Sequence, residues 1–131
     1  MFSTAEVTYI KSQPLARIAT VSPSAQPDVA PVSFQFDGQR FFIGGFNNPT
    51  TMKYKNVQKG SVKVALAVDD LASTSPWVAR GIKIHGVASI VERDGRPVLQ
   101  VTPKRHWSWG IEAAAFKDGK PVSRKVAHAA A

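Results

Sequence analysis

The sequence predicts a small, mainly β protein whose strands form an antiparallel barrel, accompanied by two short helices. The chain has 131 residues, which is enough for one domain with one hydrophobic core. About six or seven short stretches alternate apolar and polar residues in the manner of half-buried strands. Turn sequences such as Asp37-Gly38 and Asp94-Gly95 separate these stretches, which is typical of small antiparallel barrels.

The chain begins with a predicted helix. The residues Ser3-Thr4-Ala5-Glu6 fit a capping box, in which Ser3 is the N-cap and Glu6 follows three residues later. Apolar residues follow at helical spacing. We therefore expect a first helix over roughly residues 4–12 that ends before Pro14.

Three strands are predicted before the second helix. Alternating side chains place them at residues 15–21, 29–36 and 40–46. Pro31 has no backbone N–H, so it indicates a bulge or an edge position in the second of them. Asp37-Gly38 predicts a hairpin between the second and third, and Gly44-Gly45 would let another group approach the backbone closely.

The second half of the chain is predicted to contain one helix and the remaining strands. The helix covers about residues 51–59 and closes on a glycine. A polar loop is expected over residues 69–76. The expected strands cover residues 62–68, 80–91, 98–101 and 106–111. We divide the chain into a domain of residues 1–115 and a polar, then Ala-rich tail of residues 116–131, which is expected to be loose.

The composition excludes several classes of protein. The chain contains no Cys, which excludes a disulfide scaffold, a thiol nucleophile and a zinc ribbon. No apolar run approaches the roughly 18 residues of a membrane-spanning helix. The N-terminus lacks the basic and then apolar pattern of a signal peptide. The expected location is therefore cytoplasmic, with no membrane partner.

The charge balance points to an anionic ligand. Lys and Arg total 17 and Asp and Glu total 9, for a net charge of +8. Such a charge attracts nucleic acid, an anionic surface or a multiply charged cofactor, although a merely basic surface is also compatible with it. The basic residues are spread along the chain and do not alternate with exposed aromatic residues, so nucleic acid is the less favoured partner.

The sequence contains no established catalytic motif. His85, His106 and His128 do not share metal-ligand spacing, so no metal site is predicted. No nucleophile elbow, P-loop or dinucleotide-binding motif is present. A lone histidine in a strand, such as His85, is more typical of a structural residue than of a base. The residues alone therefore identify no catalytic side chain, and the catalytic residues stay unassigned.

The segment that leads into the second helix is the best candidate for binding a ligand. Thr50 and Thr51 lie at its N-terminus and Lys53 in its first turn. A cation at this end opposes the helix dipole, and a bound phosphate would reverse that penalty. The alternative is that one threonine merely caps the helix and that Lys53 is solvated. The residues alone leave both interpretations open.

The aromatic residues divide into two groups. Phenylalanines at positions 34, 36, 41 and 42 are expected to fill the barrel core. Trp77, Trp107 and Trp109 flank predicted loops, where a tryptophan can stack on a planar ring or simply pack at the barrel mouth.

Three stretches of the chain carry a resemblance to a known family. They are Ala16–Val21 with Gln26–Val32 and Phe36–Gly38, then Phe42–Gly45 with Lys53 and Asn56, and then Arg80–Ala88 with Ser108–Ile111. In this order and spacing, the chain resembles the pyridoxamine 5'-phosphate oxidase-like split-barrel flavoproteins. Within them it is most similar to the short actinobacterial branch that uses the deazaflavin coenzyme F-420.

The resemblance implies a fold and an activity. The fold is a six-stranded antiparallel split β-barrel that forms a homodimer, with two cofactor sites in the grooves between subunits. The activity is transfer of a hydride from reduced coenzyme F-420 to an unsaturated or electron-poor small organic acceptor, with solvent, rather than Ser33 or His85, as the proton source. The alternatives are an oxidoreductase of the same fold that uses flavin mononucleotide (FMN), a non-catalytic cofactor carrier, and a basic β-barrel that binds nucleic acid.

The resemblance also implies which residues bind the phosphate end of the cofactor. Lys53, Thr51 and the N–H of Met52 would hold the phosphate, and Asn56 would support that end. The candidates for attracting an oligoglutamate tail are Lys55, Lys59 and Lys83.

The ring end of the cofactor would contact two strands. The backbone of Val32, Ser33 and Phe34 would run along the ring system. Ile43 and Gly44 would line the ring or the ribityl chain. The weaker assignments are Trp77 and Arg80, reaching the site from the other subunit, and Trp109, closing it.

The chain departs from the family pattern at two places. FMN oxidases of the family carry an Arg beside the phosphate-binding Lys, whereas Met52 precedes Lys53 here. They also carry a Lys where Phe34 stands in this chain. Oxidation of pyridoxamine phosphate itself is therefore not expected.

Overall fold

Strands dominate the computed structural model, which describes residues 1–45 and 47–129. There are two α-helices, α1 (Thr4–Ser12) and α2 (Met52–Gln58), and a 3₁₀-helix at Asn48–Thr50. The strands are β1 (Ala16–Val21), β2 (Pro27–Val32), β3 (Gln35–Phe36), β4 (Phe41–Ile43), β5 (Lys63–Thr74), β6 (Trp77–Arg93), β7 (Arg96–Trp109), β8 (Phe116–Lys117), β9 (Lys120–Pro121) and β10 (Arg124–Ala127).

The main sheet is antiparallel and curls into a split barrel. It has 8 strands in the order β2-β1-β5-β6-β7-β4-β3, with β10 paired to β7. Its two edges, β2 and β3, are separated in the chain only by Ser33 and Phe34. The edges must therefore lie close together, and within the described ranges no β2–β3 ladder joins them. The predicted fold class is confirmed, with eight strands in the main sheet instead of six.

The core occupies the inside of the curled sheet. The inward residues of the long strands are fully buried, among them Leu66, Ile82, Ile84 and Leu99. Each such side chain contributes about 1.5–3 kcal/mol by leaving water. Helix α2 packs against β1, β2 and β6, where Val57 is buried. The core therefore fixes α2 beside the edge strand β2.

Both predicted helices are confirmed. The Ser3 hydroxyl accepts the N–H of Glu6 at 3.2 Å, and the Glu6 carboxylate accepts the N–H of Ser3 at 2.9 Å. Thr51 is the N-cap of α2. Gly60, with a φ of +103°, follows its last turn. Neither helix in the described part of the chain is long and apolar enough to cross a membrane.

The predicted strand over residues 29–36 is divided into β2 and β3. The division falls at Ser33-Phe34, where the chain leaves one edge of the sheet and joins the other. Pro31 lies in the edge strand β2, as predicted, because it has no N–H to donate. Asp37 forms the predicted hairpin turn, and its carboxylate accepts the N–H groups of two turn residues at 2.7 and 2.8 Å. Phe46, the end of the predicted return strand, lies outside the described residues.

Two predictions in the second half of the chain are wrong. The expected polar loop over residues 69–76 is the end of a long hairpin, in which β5 and β6 pair up to Thr74 and Trp77. The two expected strands over residues 98–101 and 106–111 are one strand, β7. Pro103 does not interrupt it because Pro103 lies at a register shift where β7 has one more residue than β6, and a missing N–H is tolerated there.

The segment expected to be a loose tail also contains strands. β8 and β9 form a small hairpin, and β10 extends the main sheet by pairing with β7. Side chains reinforce this pairing, since Arg124 bonds Glu6 at 2.6 Å and His128 bonds His106 at 2.7 Å. Ala130 and Ala131 lie outside the described residues.

Candidate functional site

A cavity of about 630 Å³ lies at the split of the barrel. One wall is the link between the two sheet edges together with the end of β4. The other wall is the turn between β6 and β7. The lining residues are Ser33, Phe34, Gln35, Phe42, Gly44, Gly45, Arg93, Asp94, Arg96, Pro97 and Val98. This volume is in the usual range for clefts that bind small organic molecules.

The structure brings the two predicted ring-contacting segments together. Gln35 pairs with Phe42, so the residues that precede β3 run beside the residues that end β4. Ser33, Phe34 and Gly44 line the same cavity. The side chains of Val32 and Ile43 are buried in the core. Only the backbone of these last two residues is available to a ligand, and the role predicted for Val32 is a backbone role.

Two glycines shape the floor of the cavity. A Cβ built on Gly44 would lie 3.4 Å from Cγ1 of Val98, at the limit of ordinary contact. Gly45 has a φ of +140°, which a residue with a side chain rarely adopts. The absence of side chains keeps this surface open, so a planar group can lie against the backbone.

Lys53 is a partly buried cation in the first turn of α2. Its pKa is lowered by burial, while the carboxylate of Asp28 acts in the opposite direction. Within residues 1–45 and 47–129 no acidic side chain forms an ion pair with Lys53. A desolvated ammonium without such a partner fits an anion such as a phosphate.

The other predicted phosphate-binding residues are placed around this helix end. The Thr51 hydroxyl accepts the N–H of Tyr54 at 3.4 Å and donates to the carbonyl of Asn48 at 2.7 Å, so it serves as the helix cap. Met52 is exposed. Asn56 is buried and donates to the Thr20 hydroxyl at 3.0 Å. In this protomer Asn56 therefore fixes α2 against β1.

The three weaker assignments do not line this cavity in the single chain. Trp77 is 62% exposed at the start of β6. The Arg80 guanidinium holds the Asp70 carboxylate in two bonds of 2.7 and 2.9 Å. Trp109 lies across Gly81, where a Cβ would come within 2.6 Å of its ring. The predicted roles of Trp77 and Arg80 require a second subunit. These roles, and the predicted closure of the site by Trp109, stay predictions.

Sequence reasoning missed the wall formed by the β6–β7 turn. The Asp94-Gly95 pair predicts the turn, but it does not predict that the arginines on each side of the turn reach a cavity. Arg93 and Arg96 both line the cavity, and the Arg93 guanidinium lies 3.7 Å from the centre of the Phe42 ring. The signal in the sequence was two arginines flanking a tight turn.

Away from this cavity, the Glu6 carboxylate is buried among hydrogen-bond donors. It accepts from Ser108 at 2.5 Å, from Arg124 at 2.6 Å and from His106 at 3.1 Å. Burial raises the Glu6 pKa, but hydrogen bonds from Ser108, from the N–H of Ser3 and from Arg124 outweigh it and lower the Glu6 pKa to about 2. The network holds α1, β7 and β10 together.

The two histidines of this network are neutral at pH 7. Burial lowers the pKa of His106, and burial together with the N-terminal amine and His106 lowers that of His128 to about 4. An ionised Glu6 can only accept, so Nε2 of His106 donates to it. Nδ1 of His106 then accepts from Nε2 of His128, 2.7 Å away.

Acid should therefore destabilise the protein in two stages. His128 binds a proton below its ordinary pKa of 6.5 when unfolded but only below about 4 when folded. Glu6 does so below 4.5 when unfolded and below about 2 when folded. The unfolded chain binds more protons in both windows, so stability falls as pH falls from 6.5 towards 2. Urea midpoints at pH 7, 5 and 3 should decrease in that order; equal midpoints at pH 7 and 3 would contradict this assignment.

The described residues contain no cluster of three or more His, Asp or Glu side chains that could hold a metal ion. The polar groups around Glu6 form hydrogen bonds with one another and with Ser3. None of these groups lines the cavity at the split. The cavity is therefore the candidate site.

Comparison with protein families gives one match that spans nearly the whole chain. A family model described as "Pyridoxamine 5'-phosphate oxidase" matches residues 2–127. A curated relative from Streptomyces rimosus subsp. rimosus is named 5a,11a-dehydrotetracycline/5a,11a-dehydrooxytetracycline reductase. It is 35% identical over 121 residues, which cover 85% of this chain and 84% of the relative.

Solved structures share the same fold at low sequence identity. A conserved hypothetical protein from Mycobacterium tuberculosis superposes with a TM-score of 0.69 and 19% identity, covering 83% of this chain and 85% of its own. An F-420 reductase superposes with a TM-score of 0.57 and 19% identity, covering 72% of this chain and 90% of its own. These likenesses agree with a split barrel.

Proposed function

The chain belongs to the pyridoxamine 5'-phosphate oxidase family as an oxidoreductase of its F-420-related branch, and we propose that it transfers a hydride from reduced coenzyme F-420 to a small organic acceptor. The observation that carries this proposal is the cavity at the split, where Ser33, Phe34 and Gly44 come together. The resemblance assigns the same three residues to the ring of the cofactor.

The residues present fit such a cofactor at both of its ends. Lys53 offers a partly desolvated ammonium for the phosphate, with Thr51 and Met52 at the same helix end. Gly44 and Gly45 leave the backbone of the cavity floor open for the ring. The formal net charge of +8 attracts an anionic cofactor over a distance, although salt screens this attraction.

The chemistry divides between cofactor and protein. When bound, the reduced cofactor supplies the hydride. The backbone at residues 32–34 and Gly44 would fix the face of the ring, and the walls of the cavity would restrict water around it. The proton that completes the reduction would come from solvent. Phe34 is apolar and stands where the oxidases of the family carry a Lys, so this position supplies no cation for the phosphate of pyridoxamine phosphate.

We propose an electron-poor carbon–carbon double bond as the reacting group of the acceptor. The curated relative is named for reduction of dehydrotetracyclines, and 35% identity makes a related class of acceptor the first to test. Hydride would add to one alkene carbon and a solvent proton to the other, so that the alkene is reduced while the cofactor is oxidised. The cavity of about 630 Å³ has room for part of such a molecule beside a ring.

A homodimer belongs to this proposal. Trp77, Val78 and Leu71 are exposed apolar residues on the β5–β6 hairpin. A second subunit could cover them and bring Trp77 and Arg80 to its partner's cofactor, as predicted from the sequence. Light scattering during size-exclusion chromatography should give the mass of two chains; the mass of one chain would remove these two residues from the site.

Replacing Lys53 with alanine tests the cofactor. Purified protein is titrated with oxidised F-420 and, separately, with FMN at 0.15 M salt, and ligand fluorescence is recorded. We expect micromolar or tighter binding of F-420, weakened roughly tenfold or more in Lys53→Ala because a charge-assisted bond to phosphate is lost. Lys11→Ala removes an equal charge from an exposed position of α1 and should bind as the wild type does.

The other outcomes separate the alternatives. Preference for FMN would keep the fold and replace the cofactor. Binding of F-420 without reduction of any conjugated acceptor would favour a carrier. Binding of neither cofactor would contradict the proposal and leave nucleic acid to be tested through the salt dependence of binding.

A further inference from the structure

The β6–β7 turn places two arginines in one wall of the cavity at the split. Arg93 and Arg96 are direct partners in the antiparallel register. Asp94 and Gly95 between them have φ values of +53° and +75°, as in a tight two-residue hairpin. Both arginines line the cavity. The turn geometry therefore places two exposed arginines opposite each other at this wall.

This placement is electrostatically unfavourable unless something compensates for it. Like charges that face each other across an antiparallel pair repel. Over the described ranges neither arginine forms an ion pair. Asp94 lines the same wall and offsets one of the two charges. The nearby Asp37 carboxylate accepts backbone N–H groups of its own turn but keeps its charge, and Arg93 helps to lower its pKa. Asp37 does not line the cavity, so the lining itself holds two guanidinium groups against one carboxylate and is net positive.

The Arg93 guanidinium stacks on an aromatic ring of the cavity. Its guanidinium carbon lies 3.7 Å from the centre of the Phe42 ring, and Phe42 lines the cavity as well. A guanidinium stacked on a ring keeps its N–H donors in its own plane, where they remain free to bond a planar anion in a bidentate manner. A carboxylate has the matching geometry, whereas the single oxygen of an enolate would accept from one guanidinium at a time.

We propose that Arg93 and Arg96 form an anion-binding subsite that takes a carboxylate or enolate oxygen of the acceptor. The identity of the ligand as the acceptor rests on the proposed function, which places the cofactor ring at Ser33, Phe34 and Gly44 in this cavity. Lys53, the residue proposed for the cofactor phosphate, does not line it. An anion held at the arginines would therefore lie beside the ring, where an acceptor has to approach.

Matched acid and amide probes test this subsite. Cinnamate and cinnamamide carry the same conjugated double bond and differ in charge. Each is titrated calorimetrically into full-length protein at 0.15 M salt, first without cofactor and then with saturating F-420. We expect cinnamate to bind roughly tenfold or more tightly than cinnamamide to the wild type. In a double variant, Arg93→Gln with Arg96→Gln, the two probes should bind within about twofold of each other.

Two further variants control for charge and geometry. Lys63→Gln with Lys104→Gln removes the same total charge from a different cavity and should keep the preference for cinnamate. Arg93→Lys keeps the charge but loses the planar fork, so it should keep only part of the preference. Equal binding of both probes to the wild type, or a preference that survives in the double arginine variant, would overturn the proposal.

Binding of the cofactor shows whether the arginines bind the acceptor or the cofactor's own carboxylates. F-420 and its form without glutamates should each bind the double arginine variant as they bind the wild type. If the double variant binds F-420 tenfold more weakly but binds the form without glutamates normally, the arginines bind the carboxylates of the cofactor tail. That result would overturn the assignment to the acceptor. The difference in affinity between cinnamate and cinnamamide is also measured without cofactor. Its result therefore does not depend on whether Lys53→Ala lowers the affinity for F-420.

Discussion

Replacing Glu6 with alanine is expected to lower the free energy of unfolding by about 3–5 kcal/mol, because it leaves buried donors without their acceptor. Arg124 and Ser108 bond this carboxylate at 2.6 and 2.5 Å, and His106 bonds it at 3.1 Å. The substitution also removes half of the capping box at Ser3. Urea denaturation at pH 7 measures the loss.

Two comparison variants make this result specific. Glu92→Ala removes an exposed carboxylate that forms no ion pair in the described part of the chain and should cost less than about 0.5 kcal/mol. Glu6→Gln keeps acceptor capacity but places an amide N–H among donors, so it should lie between Glu6→Ala and the wild type. One unpaired buried polar group alone costs roughly 1–3 kcal/mol. If the free energy of unfolding of Glu6→Ala were within about 1 kcal/mol of the wild-type value, the network would not be a major source of stability.

Replacing Gly110 with alanine should lower the free energy of unfolding by about 3 kcal/mol or more. Gly110 has a φ of +68°, and a Cβ there would lie 2.2 Å from the carbonyl oxygen of Ala79 and 2.9 Å from Cα of Arg80. Both contacts are with backbone, so β6 and the end of β7 must move apart. Trp109, which lies across Gly81, would move with them.

A Gly119→Ala variant separates the two effects of Gly110→Ala, which are backbone strain and a steric clash. Gly119 has a φ of +73°, but a Cβ there would meet nothing within 4 Å. Gly119→Ala should therefore lower the free energy of unfolding only by the roughly 1–2 kcal/mol that a left-handed backbone conformation costs a residue with a side chain. Thermal or urea unfolding of the two variants should differ by at least about 1 kcal/mol; equal stabilities would show that the Gly110 clash relaxes freely.

Local signals were enough for the helices and for most of the strands. The capping box at Ser3 and Glu6 and the cap at Thr51 lie within single turns of helix. Such contacts depend on neighbours in the chain, so the residue types predict them directly. The same holds for the Asp37-Gly38 and Asp94-Gly95 turns, where only particular residues tolerate the backbone angles.

The candidate site was predicted in part. Ser33, Phe34 and Gly44 were named from the resemblance and meet in one cavity. Arg93 and Arg96 were missed because they lie about fifty residues or more from those segments in the sequence. Nothing local shows that the β6–β7 turn closes over the β3–β4 hairpin. The sheet order decides that, because β7 pairs with β4.

The C-terminal segment shows the same limit most clearly. A polar and Ala-rich sequence carries a weak strand signal, and it was predicted to be loose. Arg124 is held in β10 by a carboxylate 118 residues away, within a network that includes two neutral histidines. The sequence determined the helices, the turns and the residues that resemble a cofactor site, since these depend on near neighbours or on motif order. Only the tertiary structure decided how the sheet edges meet and which distant charges are buried together, because long-range pairing and desolvation depend on the whole fold.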